Sequence, residues 1–160
     1  ALFFKKLERH FGRYHIARRM FPGEKTSLVE AGKDKGRNWL LIYGGGAAIA
    51  LCLDIEIRSR TRNQRSLDDV MVRMVDMYGR TGVEFEYEDI RRIVSQVGGT
   101  DLADFLARYV EGKEEFLSLY DSLDKAGLRL SQFADEYYIS RVDDPTALQR
   151  SVLTGLLRQG

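Results

Sequence analysis

Cysteine is almost absent from this sequence. Cys52 is the only one, so no disulfide can form within the chain, and its place in an apolar run marks it as a small buried hydrophobe. A lone cysteine fits a reducing compartment such as the cytoplasm. Proline occurs only twice, which leaves long unbroken helices possible. Charge of one sign is lacking too. Twenty-five Lys and Arg balance 24 Asp and Glu, so nothing in the net charge of +1 points to nucleic acid or a membrane surface as partner. The longest uninterrupted apolar run, residues 47–53, is well short of the roughly 18 residues of a membrane span. The first residues, "ALFFKKLERHFGRYH", lack both an initiator methionine and the charge-then-apolar order of a signal peptide. They read as the middle of a longer protein.

Histidine is scarce as well. His10 and His15 are the only two, five residues apart and so roughly 140° apart around a helix, with "FGRY" and no glutamate between them. Zinc-binding helices place two histidines four apart, so no metal site is expected here. No phosphate-binding loop is present either: "GGGAAI" lacks the lysine and hydroxyl residue that such a loop needs. The acidic pairs in "SLDDV" and "YEDI" fall at predicted helix starts, where carboxylates cap and complement the helix dipole. "HIARRM" and "IRSRTRNQR" are basic, and a solvated helix end explains the second better than a polyanion site.

What remains is mostly helix. Phe3, Leu7, Phe11 and Tyr14 recur at spacings of three and four and predict a helix over residues 2–20, stopped by Phe21-Pro22-Gly23. Thr26 or Ser27 caps a short turn, and "KDKGRN" reads as a polar loop. The next helix is expected from about residue 45 to 60, buried all round where it is apolar on every side. Its basic end, with Arg58, Arg60 and Arg62, suits the helix dipole. Ser66 and Asp69 make a capping box for a helix with Leu67, Val70, Met71 and Met74 on its apolar face. Further helices are expected from about residue 88, after Thr100, and over "EEFLSLYDSLDKAG". "LRLSQFADEYYISRV" mixes β-branched and aromatic residues and could hold a strand. Asp144-Pro145 then opens a terminal helix, with the proline at its first position. The expected architecture is an all-α bundle with one small strand pair near the C-terminus. Residues 1–128 form the main helical unit, and residues 129–160 an extension of the same compact unit.

One stretch does not fit a plain core helix. In "LIYGGGAAIALCLDIEI", residues 41–57, a tyrosine and three glycines precede the apolar run. At a loop-to-helix junction, Tyr43 could be a packing residue whose hydroxyl reaches water. It could also aim its phenol into a cleft and donate a hydrogen bond to a developing negative charge. Gly44, Gly45 and Gly46 would then leave a substrate backbone room to approach.

Three stretches decide between these in favour of the cleft by resemblance. "YGGGAAIALCLDIEIRSRTRNQRSLDDVMVRM", "FEYEDIRRIVSQVGGTDLADFLARYVEGKEE" and the shorter "SLVEAG" resemble, in order and spacing, the glycyl aminopeptidase family of zinc metallopeptidases in the thermolysin-like (gluzincin) group. The resemblance covers about residues 26 to 128. It implies the helical C-terminal subdomain of a thermolysin-like fold, forming one wall of a cleft. It also implies a zinc held by an HExxH helix and a later glutamate, whose bound water attacks a peptide with a small N-terminal residue, glycine or alanine. Tyr43-Gly44-Gly45-Gly46 matches the family's tyrosine, x, lysine, glycine element. Tyr43 is thus implied as the oxyanion donor, the three glycines as the substrate-side backbone, and Gly46 as the glycine that lets the helix start tightly.

Two departures limit this. Gly45 stands where the family has lysine, and the chain has neither an HExxH nor the second zinc glutamate. The expected partners are therefore an upstream, HExxH-bearing half of the same protein and a peptide substrate. Zinc would be held by that half and not by this chain, which alone should not hydrolyse peptides. Apolar surface left by a missing half could drive self-association. The competing expectation is a non-catalytic helical interaction module, or a degenerate homologue of the peptidases.

Overall fold

The computed structural model describes residues 2–20, 26–79, 81–98, 102–112 and 120–158. Among them are eight α-helices, against the six or seven that the hydrophobic pattern predicts, and a single two-stranded antiparallel sheet in the stretch expected to hold a strand. The expected stop at Phe21-Pro22-Gly23, the Thr100 cap and most of "EEFLSLYDSLDKAG" lie outside the described residues.

Helix α1 (Leu2–Met20) buries Leu7, Phe11, Tyr14 and Ala17, one stripe at helical spacing. Ser27 caps α2 (Leu28–Ala31) through a reciprocal capping box with Glu30. A 3-10 turn, Gly32–Asp34, leads to α3 (Trp39–Arg60), on which the molecule is built. Residues 51 to 58 of α3 are buried without a break, Cys52 completely, and burial raises its thiol pKa. Such a helix has no solvent face over two turns, so every neighbour must pack on it. Contrary to the expectation from uninterrupted runs, α3 is long and apolar enough to cross a membrane by length and composition alone. Burial of 67% of its most apolar stretch inside the fold accounts for that apolarity.

Two clusters share α3. Ala48, Cys52 and Ile55 face α1, joined by residues of the hairpin and the last helix. Leu53 and Ile57 face α4 (Leu67–Met74) and α5 (Tyr87–Gly98), with Val70, Ile93, Val94 and Val97. Ser66 and Asp69 form the expected capping box of α4. Only Val70 of its predicted face is fully buried, and Met71 is exposed because no element covers that side. The helix widens into a π turn, Val75–Gly79. Helix α5 starts one residue before the expected Glu88. Then come α6 (Ala103–Leu106), which loosens into a second π turn, Ala107–Glu111, and α7 (Asp121–Asp124).

The strand-like stretch folds as a hairpin, β1 (Leu128–Phe133) and β2 (Glu136–Arg141), with Leu130 opposite Ile139. It docks on α1 by three contacts. His15 stacks on Tyr137 at 4.5 Å, the Ile139 N–H donates to Glu8 Oε1 at 2.9 Å, and Arg19 pairs with Asp135. The last helix, α8 (Ala147–Leu157), is capped by Thr146, again in a reciprocal box, with Gln149. Pro145 therefore precedes the cap instead of taking the first helical position: the Thr146 hydroxyl supplies an acceptor, which proline cannot. Tyr137 of the hairpin and Val152 and Leu156 of α8 enter the same cluster as α1 and α3.

Candidate functional site

The sequence places Tyr43 at a loop-to-helix junction, but α3 already begins at Trp39. Tyr43 is in the second turn, and all three glycines are inside the helix. Three glycines together cost about 1 kcal/mol each against alanine in a helix, so packing must offset the loss. Gly44 shows how. A Cβ there would lie 2.8 Å from the Tyr14 backbone nitrogen and 3.0 Å from the His10 carbonyl oxygen. Helices α1 and α3 cross in backbone contact at this point, and only glycine allows it. Gly45 is buried as well. Gly46 is half-buried, and a Cβ there would meet nothing within 4 Å. The bare backbone thus serves α1 first, and of the three glycines only Gly46 borders open space.

Tyr43 is on a different face, about 100° around the helix from Gly44. Its ring is 67% exposed, and its hydroxyl makes no hydrogen bond among the described residues. Trp39, 48% exposed, precedes it by four residues, or about 40° around the helix. Gly46 and Ala50 continue the same stripe. Ala47, one turn beyond Tyr43, lines a cleft of about 420 Å³ with Ala50, Leu7, Leu67 and Leu156. An aromatic pair therefore stands above a smooth floor of small residues that runs into an apolar cleft.

Asp54 lies at the far end of that cleft, but its carboxylate is engaged. Oδ1 accepts the Leu67 N–H at 2.7 Å and Oδ2 accepts from Arg58 Nε at 3.0 Å. Both residues are buried. Arg58 Nη1 also donates to Asn63 Oδ1 at 2.9 Å, and the Asn63 amide donates to the Ser151 carbonyl oxygen of α8. Gly155 leaves the room: a Cβ there would sit 2.4 Å from Asn63 Oδ1 and 2.5 Å from Arg58 Nη1. Two residues beyond Asp54 and so on another face of α3, Glu56 accepts from Ser122 Oγ at 2.7 Å, from Lys125 Nζ at 2.6 Å and from Arg60 Nε at 3.2 Å. Burial pushes its carboxyl pKa up, but the Lys125 and Ser122 hydrogen bonds outweigh this, and the net direction is below the usual glutamate value.

The basic end of α3 is not a simply solvated helix end: Arg58 is buried, while Arg62 is exposed. Arg58 and Arg60 are held by carboxylates four residues before them, and Arg65 by Asp69 four residues after it. The sequence signal was there in the spacing of Asp54 to Arg58 and Glu56 to Arg60.

The histidines lie apart from Tyr43's exposed stripe. His15 Nε2 is 2.8 Å from the Tyr120 hydroxyl, within the aromatic packing of α1 and the hairpin. His10 Nδ1 is buried without a partner, and burial together with Arg13 and Arg9 holds its pKa below the ordinary value. No group of three His, Cys, Asp or Glu among the described residues is placed to hold a metal ion, so the residues present do not fit a zinc site. Comparison with protein-family models, with curated proteins and with solved structures returned no match to any of them.

Proposed function

We propose that this chain is the helical wall of the active-site cleft of a zinc aminopeptidase of the glycyl aminopeptidase type, with a thermolysin-like fold completed by upstream sequence. Tyr43 is its one catalytic group. The observation that carries the reading is the exposed, unbonded phenol on an otherwise core helix, at the position where the sequence resembles the family's oxyanion tyrosine. Held by α3, the hydroxyl would donate to the carbonyl oxygen of the scissile peptide as that oxygen gains negative charge. Preorganisation is what makes such a donor effective. Tyr43 is attached to the most completely buried helix of the molecule, so its backbone cannot drift. Gly46 and Ala47 beside it leave a flat floor for a peptide backbone with a small N-terminal residue. The zinc and its bound nucleophile would belong to the upstream portion; among the described residues no group of three His, Cys, Asp or Glu is placed to hold the metal.

The test is release of glycine or alanine from a short peptide by the full-length parent protein. Tyr43→Phe should lower kcat by roughly 100- to 1,000-fold, with zinc content and melting temperature unchanged. Unchanged kcat in that variant removes Tyr43 from the chemistry. A parent without an HExxH and without zinc removes the peptidase reading altogether.

A further inference from the structure

A second surface lies far from Tyr43 along α3. Between α4 with its π turn and α5 runs a groove of about 620 Å³, floored by Leu53, Val70 and Val94 and walled by Met71, Met74 and Phe85. Its walls are open to solvent. Met71 is 57% exposed, and Val75, Val83 and Phe85 are each at least half exposed. Three of the four methionines of the chain, Met71, Met74 and Met77, fall on this one segment. Methionine is unbranched and polarizable and adapts to varied apolar partners.

The segment that forms the groove has a net negative charge. From residue 67 to 92 the sequence has seven carboxylates against four arginines, in a chain whose net charge is +1. Two of those arginines are bound within the fold, Arg91 to Glu88 and Glu111 and Arg92 to Asp89. A third, Arg73, donates to Gln96. Asp76, Glu84 and Glu86 make no side-chain ion pair among the described residues, and Glu84 is itself on the groove wall. An apolar trough between two helices, with the unpaired carboxylate of Glu84 on its wall and those of Asp76 and Glu86 on the same segment, suits a third helix that is apolar on one face and basic on its flanks.

We propose that the α4–α5 groove receives the apolar face of a basic amphipathic helix from a partner protein. A second copy of this chain does not supply it. The basic helix at hand, α1, has its Leu7, Phe11 and Tyr14 face buried against the core. Anionic lipid is disfavoured by the same carboxylates. The inference stands independently of the peptidase reading.

The probe is a designed leucine–lysine peptide about five turns long, with leucines at i, i+3, i+4 and i+7, titrated into the chain by calorimetry. Its leucine–glutamate counterpart is the control. The lysine peptide should bind, more weakly as salt rises, and the glutamate peptide should not. In methyl NMR spectra the signals of Met71 and Met74 should move while that of Met20 stays. Met71→Asp, at an exposed position that should not disturb folding, should weaken binding at least about tenfold, or 1.4 kcal/mol. The double change Glu84→Lys and Glu86→Lys should reverse the preference between the two peptides. Equal binding of both peptides, undiminished binding to Met71→Asp, or a concentration-dependent dimer that Met71→Asp dissociates would each overturn the proposal.

Discussion

Between Trp39 and Ala50, α3 has no ionisable side chain except the Tyr43 phenol; its residues are glycine, alanine, leucine and isoleucine, with Trp39 and Tyr43 exposed. Between Leu51 and Arg60 the same helix is almost wholly buried and has Asp54, Glu56 and Arg58 inside the protein. The first half is fastened without polar side chains, through backbone contact with α1 at Gly44 and the burial of Leu41, Ala48 and Ile49. The second half is fastened by polar groups that reach the start of α4, α7 and α8. A helix locked at one end by a buried polar network can leave part of its other end exposed without losing its position. That arrangement suits a group that must be exposed and yet fixed.

The contrast can be broken most strongly at Arg58. Arg58→Ala leaves Asp54 buried without its cation and should cost about 3–5 kcal/mol in chemical denaturation. A loss below about 1 kcal/mol would mean that the polar end is not what holds α3. Shape should matter less but measurably at Gly44. Gly44→Ala forces a methyl against the α1 backbone and should destabilise by about 1–3 kcal/mol. Gly46→Ala, two residues on and facing open space, should instead stabilise by about 0.5–1 kcal/mol. Opposite signs at these two glycines would sharpen the distinction, and equal effects would erase it.

Within α3, acid should act on the polar half. The folded-state pKa of Glu56 is lowered, so its contribution is present above the unfolded value of about 4.3 and is lost as pH falls through the folded value. Melting temperature should therefore fall from about pH 4 downward, and Glu56→Gln should flatten that part of the profile.

The helical class, two of the caps and the hairpin region were legible because each rests on local pattern. Ser27 with Glu30, Ser66 with Asp69 and the β-branched and aromatic run after Gly127 all act over a few residues. The start of α3 was not legible. Three consecutive glycines argue locally against helix, and only the long-range approach of Tyr14 and His10 explains why Gly44 is required within one. The same limit applies to Arg58. Its spacing from Asp54 showed that a pair could form, but its burial depends on Asn63 and on a glycine almost a hundred residues later. Of the site, the exposure of Tyr43 matches what an oxyanion donor needs, whereas Gly44 and Gly45 turn inward to the fold.

Trp39 is the only indole in the chain and stands one turn before Tyr43 on the same open stripe. Whatever settles over the phenol must also change the polarity around that indole. The native, unlabelled chain therefore has its own optical gauge: a shift or quenching of tryptophan emission registers occupancy of this face, whether by a peptide or by the rest of the protein.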